Sequence, residues 1–393
     1  MIFITKLVMI EFFFWAPVIL LLHSYVLFPI LIGIWSRKKT DNKEVYNADE
    51  KLPFVSVIIS VYNEEKVIRH RITNIFNTMY PSGKLELLVG SDGSTDNTNV
   101  ILKQLQETNP CVRLFLFDQR KGKGNVLNSL VREAKGEILL LTDAKVDFSS
   151  RAIFELVKNF RNPAIGVVGG NIMNRNVSKD GISIQEKQFM SREIVIKYNE
   201  GKLWGTTMGA YGACFAIRKE LVDIIPENFA VEDFYITVRT LEKGYRAIID
   251  LEAVCYEDVP NFLQEEFRRK VRISSGNFQN LKAFSHLLAK FNPLAFCFIS
   301  HKVIRWFGPF IIFSVLLSNL FLLSAGWFYV LTMTLQLLLL IIPIIDFFLR
   351  KIRLHIITLR FVTHFYTMNL ALLIGFIKYL KGVKTNVWEP TKR

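Results

Sequence analysis

The chain has 393 residues, enough for one large domain or two ordinary ones, with 51% hydrophobic residues and a formal net charge of +14. Its four cysteines, Cys111, Cys214, Cys255 and Cys297, are far apart and form no CxxC pair; with six scattered histidines they exclude a zinc site and suit a reducing compartment. A charge of +14 in a soluble protein would suggest nucleic acid, but there is no aromatic interleaving and no nucleic-acid motif, which excludes that class.

The cations cluster beside apolar blocks instead. Residues 7–36 are expected to form an N-terminal transmembrane helix, because about 20 apolar residues cross a bilayer. The block is longer than a signal-peptide core and lacks a small-x-small cleavage site. Arg37, Lys38 and Lys39 follow it and place the next region in the cytoplasm by the positive-inside rule. Residues 37–52 are a polar linker, and residues 53–257 read as a cytoplasmic domain.

Residues 54–61, FVSVIISV, read as a buried strand that runs into Tyr62, Asn63 and Glu64, with a helix to about residue 79. A second strand, 85–89, ends in the polar cluster Ser91-Asp92-Gly93-Ser94-Thr95-Asp96, which opens a helix to about residue 106. A third strand covers 112–117, and Lys121-Gly122-Lys123-Gly124 starts the next helix. The fourth strand, 137–141, has four apolar residues in a row and then turns abruptly polar at Thr142, Asp143, Lys145 and Asp147. Strands alternating with helices predict right-handed βαβ units and an α/β fold on a mostly parallel mixed sheet. Ligands of such sheets sit outside the carboxyl ends of the strands, so Asp143 would point into a crevice.

The second half is less regular. A strand is expected at 165–170, a helix over 182–198, a small-residue loop leading into a strand over 205–216, and a helix opening at Glu232-Asp233. A strand at 246–250 precedes an Arg-rich amphipathic helix over 262–284, and residues 258–306 are expected to lie in the membrane interface. Residues 307–349 are long enough for two crossings with a turn near 324–326. A third segment, 354–380, spans or is re-entrant; its internal Arg360, His364 and Asn369 disfavour a lipid-facing span. Residues 381–393 form a basic tail.

The strand ends suggest a nucleotide site. Asp92 could accept a hydrogen bond from a pyrimidine N–H, and Asn63 and Glu64 could hold a ribose. Lys121 and Lys123 could meet a diphosphate beside helix N-termini that attract phosphate. Helix capping is the plainer role for Ser94 or Thr95.

The ordered set VSVIISVYNE, SDGSTDNT, KGKGNVLN, LLLTDA, VEDF and RRKVR resembles family 2 glycosyltransferases over about residues 53–306. The membrane segments make it similar to the branch of cellulose, chitin, hyaluronan and poly-N-acetylglucosamine synthases. The resemblance implies an inverting hexosyl- or N-acetylhexosaminyl-transferase with a GT-A fold at the cytoplasmic (inner) membrane. Its donor would be a UDP-sugar held with Mg²⁺ or Mn²⁺.

By the same resemblance Asp92 would contact uracil in a donor site shared with Tyr62, Asn63, Glu64 and Lys123. Asp143 would begin a DxD-type metal motif, and Asp233 would deprotonate the acceptor hydroxyl. Arg269 and Arg272 match the polar positions of the QxxRW motif beside the donor. Gly209 to Arg218 resembles the acceptor loop, with Tyr211, Gly212 and Glu232 on the acceptor side; a packing turn is the alternative for this loop. Trp204 either stacks on a sugar ring or is an ordinary core tryptophan. Trp388, in the tail VWEPTKR, is similar to a gating motif that closes over the nucleotide; a frayed terminus is the alternative.

Three departures stand out. Lys145 replaces the second DxD carboxylate, Ser91 precedes Asp92 where relatives carry another Asp, and Ile273 stands at the QxxRW tryptophan. Three readings follow. The first is extension of a β-linked polysaccharide, with export or polymer-processing partners. The second is single transfer to a lipid or polyprenyl-linked acceptor. The third is a non-catalytic membrane scaffold.

Overall fold

The computed structural model describes residues 2–177, 181–352 and 354–383. The chain divides into two compact units. A sheet unit is built from Ile32–Val177 and Lys187–Val259, and a helical unit from the N-terminal helix, residues 181–186 and Pro260–Gly382.

The sheet unit is organised on an eight-stranded mixed sheet. In chain order its strands are β1 (Val55–Val61), β2 (Leu85–Asp92), β3 (Val112–Phe117), β4 (Ile138–Thr142), β5 (Val146–Phe148), β6 (Ile165–Arg175), β7 (Cys214–Arg218) and β8 (Arg246–Asp258). The spatial order is β3-β2-β1-β4-β7-β6-β8-β5. The β1–β2, β2–β3, β1–β4 and β6–β8 pairs are parallel; β4–β7, β6–β7 and β5–β8 are antiparallel. β1 has apolar residues buried on both faces, Val55, Val57 and Ile59 on one and Ile58 on the other, as a strand covered by helices on both sides must. The Ile68–Phe76 helix supplies part of that cover through Ile68, Ile72 and Ile75, spaced to share one face.

The chain leaves β1 for β2 on one side and returns to β4 on the other. The order therefore reverses at β1, and the carboxyl ends of β1, β2 and β4 open a crevice there. Tyr62, Asp92 and Asp143 stand at or just beyond these three ends.

The expected strands at 165–170 and 246–250 are longer in the structure. β6 and β8 pair along most of their length through a register shift between Gly169 and Asn171. β5 was read from the sequence only as a polar strand end; Val146 and Phe148 are buried, and the strand pairs with the far half of β8. The expected helix at 182–198 runs Ser183–Trp204.

At the amino ends of the same strands lies a buried polar knot. The Ser56 hydroxyl donates to Glu86 Oε1 (2.5 Å) and accepts the Gly136 N–H (2.7 Å). Glu86 also accepts the Lys135 N–H at 2.6 Å and Arg113 Nη1 at 3.2 Å. A Cβ at Gly136 would collide with the Ser56 backbone, so only glycine permits this approach. Burial pushes the Glu86 carboxyl up, but the bonds from Ser56, Lys135 and Arg113 outweigh it and hold the group below the usual carboxylate range.

In the helical unit, Thr5–Ser36, Trp327–Lys351 and Ile357–Leu380 are long and apolar enough to cross a membrane. Pro293–Trp306 and Gly308–Phe321 form a pair bent by 64°, either one broken span or a re-entrant loop. Three polar residues inside Ile357–Leu380 face protein. Arg360 donates to the Gly181 carbonyl (2.9 Å), His364 Nε2 lies 2.7 Å from Glu186 Oε1, and Asn369 is buried. A crossing by this helix therefore exposes none of these three to lipid, which removes the sequence's objection to a full span.

Because Glu86 holds its proton less tightly folded than unfolded, its stabilisation is present above the unfolded carboxylate pKa and fades as pH falls through the folded one. Glu86→Gln is expected to cost about 1.5–3 kcal/mol near neutral pH. Thermal unfolding in detergent at several pH values should show the gap to wild type closing in acid.

Candidate active site

The crevice at the reversal point is assembled from loops that brace one another. Asn63, just past β1, has φ 52°, a left-handed conformation that Asn tolerates better than most residues. Its Oδ1 accepts the Thr95 N–H (2.8 Å), and the Glu64 N–H donates to Thr98 Oγ1 (2.9 Å). The turn after β1 is thereby locked to the turn after β2.

Asp92, at the end of β2, is buried. Its oxygens accept the backbone N–H groups of Lys121 (2.6 Å) and Gly122 (3.1 Å), and Arg120 Nε lies 3.8 Å away. The Arg120 guanidinium also lies 3.5 Å over the Tyr62 ring. Asp92 therefore shapes the loop that leads into the Lys123–Glu133 helix.

Lys123 opens that helix, and its ammonium bridges two carboxylates: Asp143 Oδ1 at 2.8 Å and Glu232 Oε1 at 2.7 Å. Burial works against its charge, but Asp143 and Glu232 more than compensate and hold its pKa above the ordinary lysine value. Asp143 is 42% exposed at its side chain, so it meets the crevice. Lys145, in the DxD-like motif, lies 3.4 Å from Glu64 Oε1. Burial raises the Glu64 carboxyl, and Lys145 opposes that rise. Asp147 sits on β5, bound by His70 (3.1 Å) and Arg175 (2.5 Å).

Asp233 lies in the first turn of the Glu232–Glu242 helix. Its Oδ2 accepts the Gly212 N–H (2.7 Å) and its Oδ1 the Phe234 N–H (2.8 Å). Burial raises its carboxyl above the usual range, and Glu232 adds to the rise; Lys123 and Lys197 oppose it. Gly209, at φ 79°, packs where any Cβ would strike the Phe234 ring, so the loop comes as close to this helix as glycine allows.

The structure thus strings the predicted residues along one polar path: Asp92 to the 121–122 backbone, Lys123 to Asp143 and Glu232, and Asp233 beside Glu232. Glu232, expected on the acceptor side, is shared with the Asp143 cluster through Lys123. Trp204 packs edge-on against Trp35, centroids 6.1 Å apart. Arg269 and Arg272 belong to the helical unit, where both Glu266 oxygens lie 3.3 Å from Arg269 Nη1. Trp388 lies outside the described residues.

Sequence reasoning did not single out Arg120 or Lys197. Arg120 directly precedes the Lys121-Gly122-Lys123-Gly124 run, and that adjacency was the available signal. Lys197 is only 5% exposed, and its ammonium lies 3.4 Å from the Tyr211 ring centroid.

Among the described residues, the acidic group with metal-like spacing is Glu155, Asp250 and Glu252. Lys158 Nζ lies 2.5, 3.4 and 2.8 Å from the three carboxylates, and the group belongs to no part of the crevice path. In the crevice, exposed Asp143 suits a divalent ion as a single protein carboxylate, with bound phosphate oxygens and water completing the shell.

This arrangement defines a GT-A transferase of nucleotide-activated sugars. A model described as glycosyl transferase family 2 matches residues 56–225, and one described as glycosyl transferase family group 2 matches residues 143–374. The second covers more than half of the chain, and the chain belongs to the family 2 glycosyltransferases. It is 27% identical over 313 residues to the probable glycosyltransferase YdaM of Bacillus subtilis, covering 76% of this chain and 73% of that protein. It is also 27% identical over 264 residues to the poly-beta-1,6-N-acetyl-D-glucosamine synthase of Staphylococcus aureus, covering 66% of this chain and 63% of the synthase, less than two thirds of its length. A shared fold extends to the mannosyltransferase PcManGT of Pyrobaculum calidifontis, solved with GDP-Man and Mn²⁺. That match has a TM-score of 0.69 at 22% identity and covers 94% of this chain and 99% of that one.

Lys123→Met leaves Asp143 and Glu232 with no ammonium between them. Breaking such a pair should cost about 3–5 kcal/mol. Thermal unfolding in detergent reads the loss.

Proposed function

We propose that the chain moves a sugar from a UDP-sugar, with inversion, onto a growing β-linked glycan at the cytoplasmic face of the membrane. The observation that carries this is the Lys123 bridge, which ties the donor-side carboxylate Asp143 to the helix turn bearing Asp233. The relation to the S. aureus synthase supports a glycan product.

Inverting transfer needs a base opposite the departing nucleotide. Each Asp233 oxygen accepts one backbone N–H and keeps a second lone pair for the acceptor's proton. Its raised pKa brings it nearer neutrality, where a carboxylate is a stronger base. Lys123 places a fixed positive charge beside the departing diphosphate, where it is worth most because water is scarce. Asp92 and Asn63 hold the nucleotide loops in shape. Asp143 would hold a divalent cation, Mg²⁺ or Mn²⁺, which when bound neutralises charge on the diphosphate.

A second reading, single transfer to a lipid or polyprenyl-linked acceptor, is favoured by Ile273 at the QxxRW tryptophan position. Gel sizing of the product separates the two.

The reading places the sheet unit in the cytoplasm, after the cations at 37–39. The bent pair must then cross, so that Arg350 and Lys351 return to the same side.

Purified protein should release UDP from one member of a UDP-sugar panel, and Asp233→Asn should lower kcat about 10²- to 10⁴-fold with little change in melting temperature. Release that survives this substitution overturns the assignment of the base. Excess chelator should also abolish turnover, with Mg²⁺ or Mn²⁺ restoring it; full activity without metal removes Asp143 from metal binding.

A further inference from the structure

The segment that carries Asp143 is held at both ends by one helix. It runs from Thr142, the last residue of β4, to Phe148, the last of β5. The Ile68–Phe76 helix packs its isoleucines into the core and sets His70, Arg71 and Asn74 against this segment. At the first end, Arg71 Nη2 donates to Thr142 Oγ1 (2.8 Å), and that hydroxyl donates in turn to the Ala213 carbonyl (2.6 Å). At the other, Asn74 Oδ1 accepts the Phe148 N–H (2.8 Å) and Asn74 Nδ2 donates to the Phe148 carbonyl (3.0 Å). One side chain thus pairs with both backbone groups of Phe148, as a neighbouring strand would. Arg71 Nη1 also donates to Asn74 Oδ1 (2.8 Å), which joins the two ends, and its guanidinium carbon lies 4.0 Å from the Phe148 ring centroid.

Arg71 is fully buried, and these hydrogen-bond partners are neutral. Its Nε has no hydrogen-bond partner among the described residues. A buried cation held by neutral groups recovers little of its lost hydration. What it supplies is a planar fork that fixes two acceptors, Thr142 Oγ1 and Asn74 Oδ1, relative to each other. Asp147, the other carboxylate of the segment, is engaged by His70 (3.1 Å) and Arg175 (2.5 Å). Asp143 remains as the carboxylate that meets the crevice. An ion held by one protein carboxylate has no second one to re-centre it, so its affinity follows the placement of that residue closely.

We propose that Arg71 and Asn74 are the positioning residues of the metal site: they fix both ends of the 142–148 segment and so set where Asp143 presents its carboxylate. The inference rests on Asp143 being the ligand of the divalent ion. Neither residue is itself a ligand; Arg71 acts through Thr142, and Asn74 through Phe148.

The test is Mn²⁺ binding by the full-length protein in detergent with saturating UDP, read from the free-Mn²⁺ signal in electron paramagnetic resonance. Arg71→Met and Asn74→Ala should each weaken Mn²⁺ binding about tenfold. Arg71→Lys keeps the charge and loses the fork, so it should weaken binding as Arg71→Met does. UDP affinity in excess chelator should stay at the wild-type value, because the bonds that shape the Asp92 and Asn63 loops are untouched. If Arg71→Met does not fold, Asn74→Ala, at a half-buried position, gives the same readout. Unchanged Mn²⁺ affinity in either folded variant, even with a lowered melting temperature, overturns the inference and leaves the helix a packing element. An equal loss of UDP affinity in chelator overturns it as well. Asp143→Asn separates the two levels. If it abolishes Mn²⁺ binding and the Arg71 and Asn74 variants do not weaken it, only the inference fails; if it binds Mn²⁺ as the wild type does, the metal assignment itself fails.

Discussion

One ammonium between two carboxylates organises this crevice. Lys123 reaches Asp143 at the end of β4 and Glu232 at the start of the Glu232–Glu242 helix. These residues are 20 and 109 positions away in sequence. Without a cation, two anionic side chains facing one low-water cleft would repel and splay. With it, the turn bearing Asp233 is drawn toward the end of β4. Asp92 does the complementary work from below, since its hydrogen bonds to Lys121 and Gly122 fix where the Lys123 helix begins.

Much of this was legible in the sequence, for a physical reason. Buried parallel strands read as short apolar runs, and their carboxyl ends are where polarity returns, so Tyr62, Asp92 and Asp143 marked the crevice. The opening of a helix at Glu232-Asp233 was equally plain. The rest depended on tertiary pairing. β5 is three residues long and exists because β8 offers it an edge. The far halves of β6 and β8 pair beyond a register shift between Gly169 and Asn171, which no local pattern announces. Lys197 lies in REIVIKYNEGKLW, where charged and apolar residues alternate closely enough to hide which side of the helix is buried. Arg269 and Arg272 rest on the motif resemblance alone, and one partner of Arg269 is Glu266, one turn away on its own helix.

The helical unit follows the opposite economy of charge. Within Ile357–Leu380, Arg360, His364 and Asn369 are buried, with Arg360 donating to a carbonyl and His364 beside Glu186. Lys270 lies 3.3 Å from the same Glu186. Burial pushes the Glu186 carboxyl up, but Lys270 and His364 overcome it and bring the group down to about 2. A helix whose composition looks too polar to face lipid is thus made compatible with a bilayer by what it packs against.

The Ser56–Glu86–Gly136 knot sits at the opposite ends of the strands from the crevice. The knot therefore ties β1, β2 and β4 together at the ends away from the crevice. Loops at the working end can change length and chemistry while the scaffold beneath them stays in step. Divergence of specificity in such a protein need not pass through an unstable ancestor.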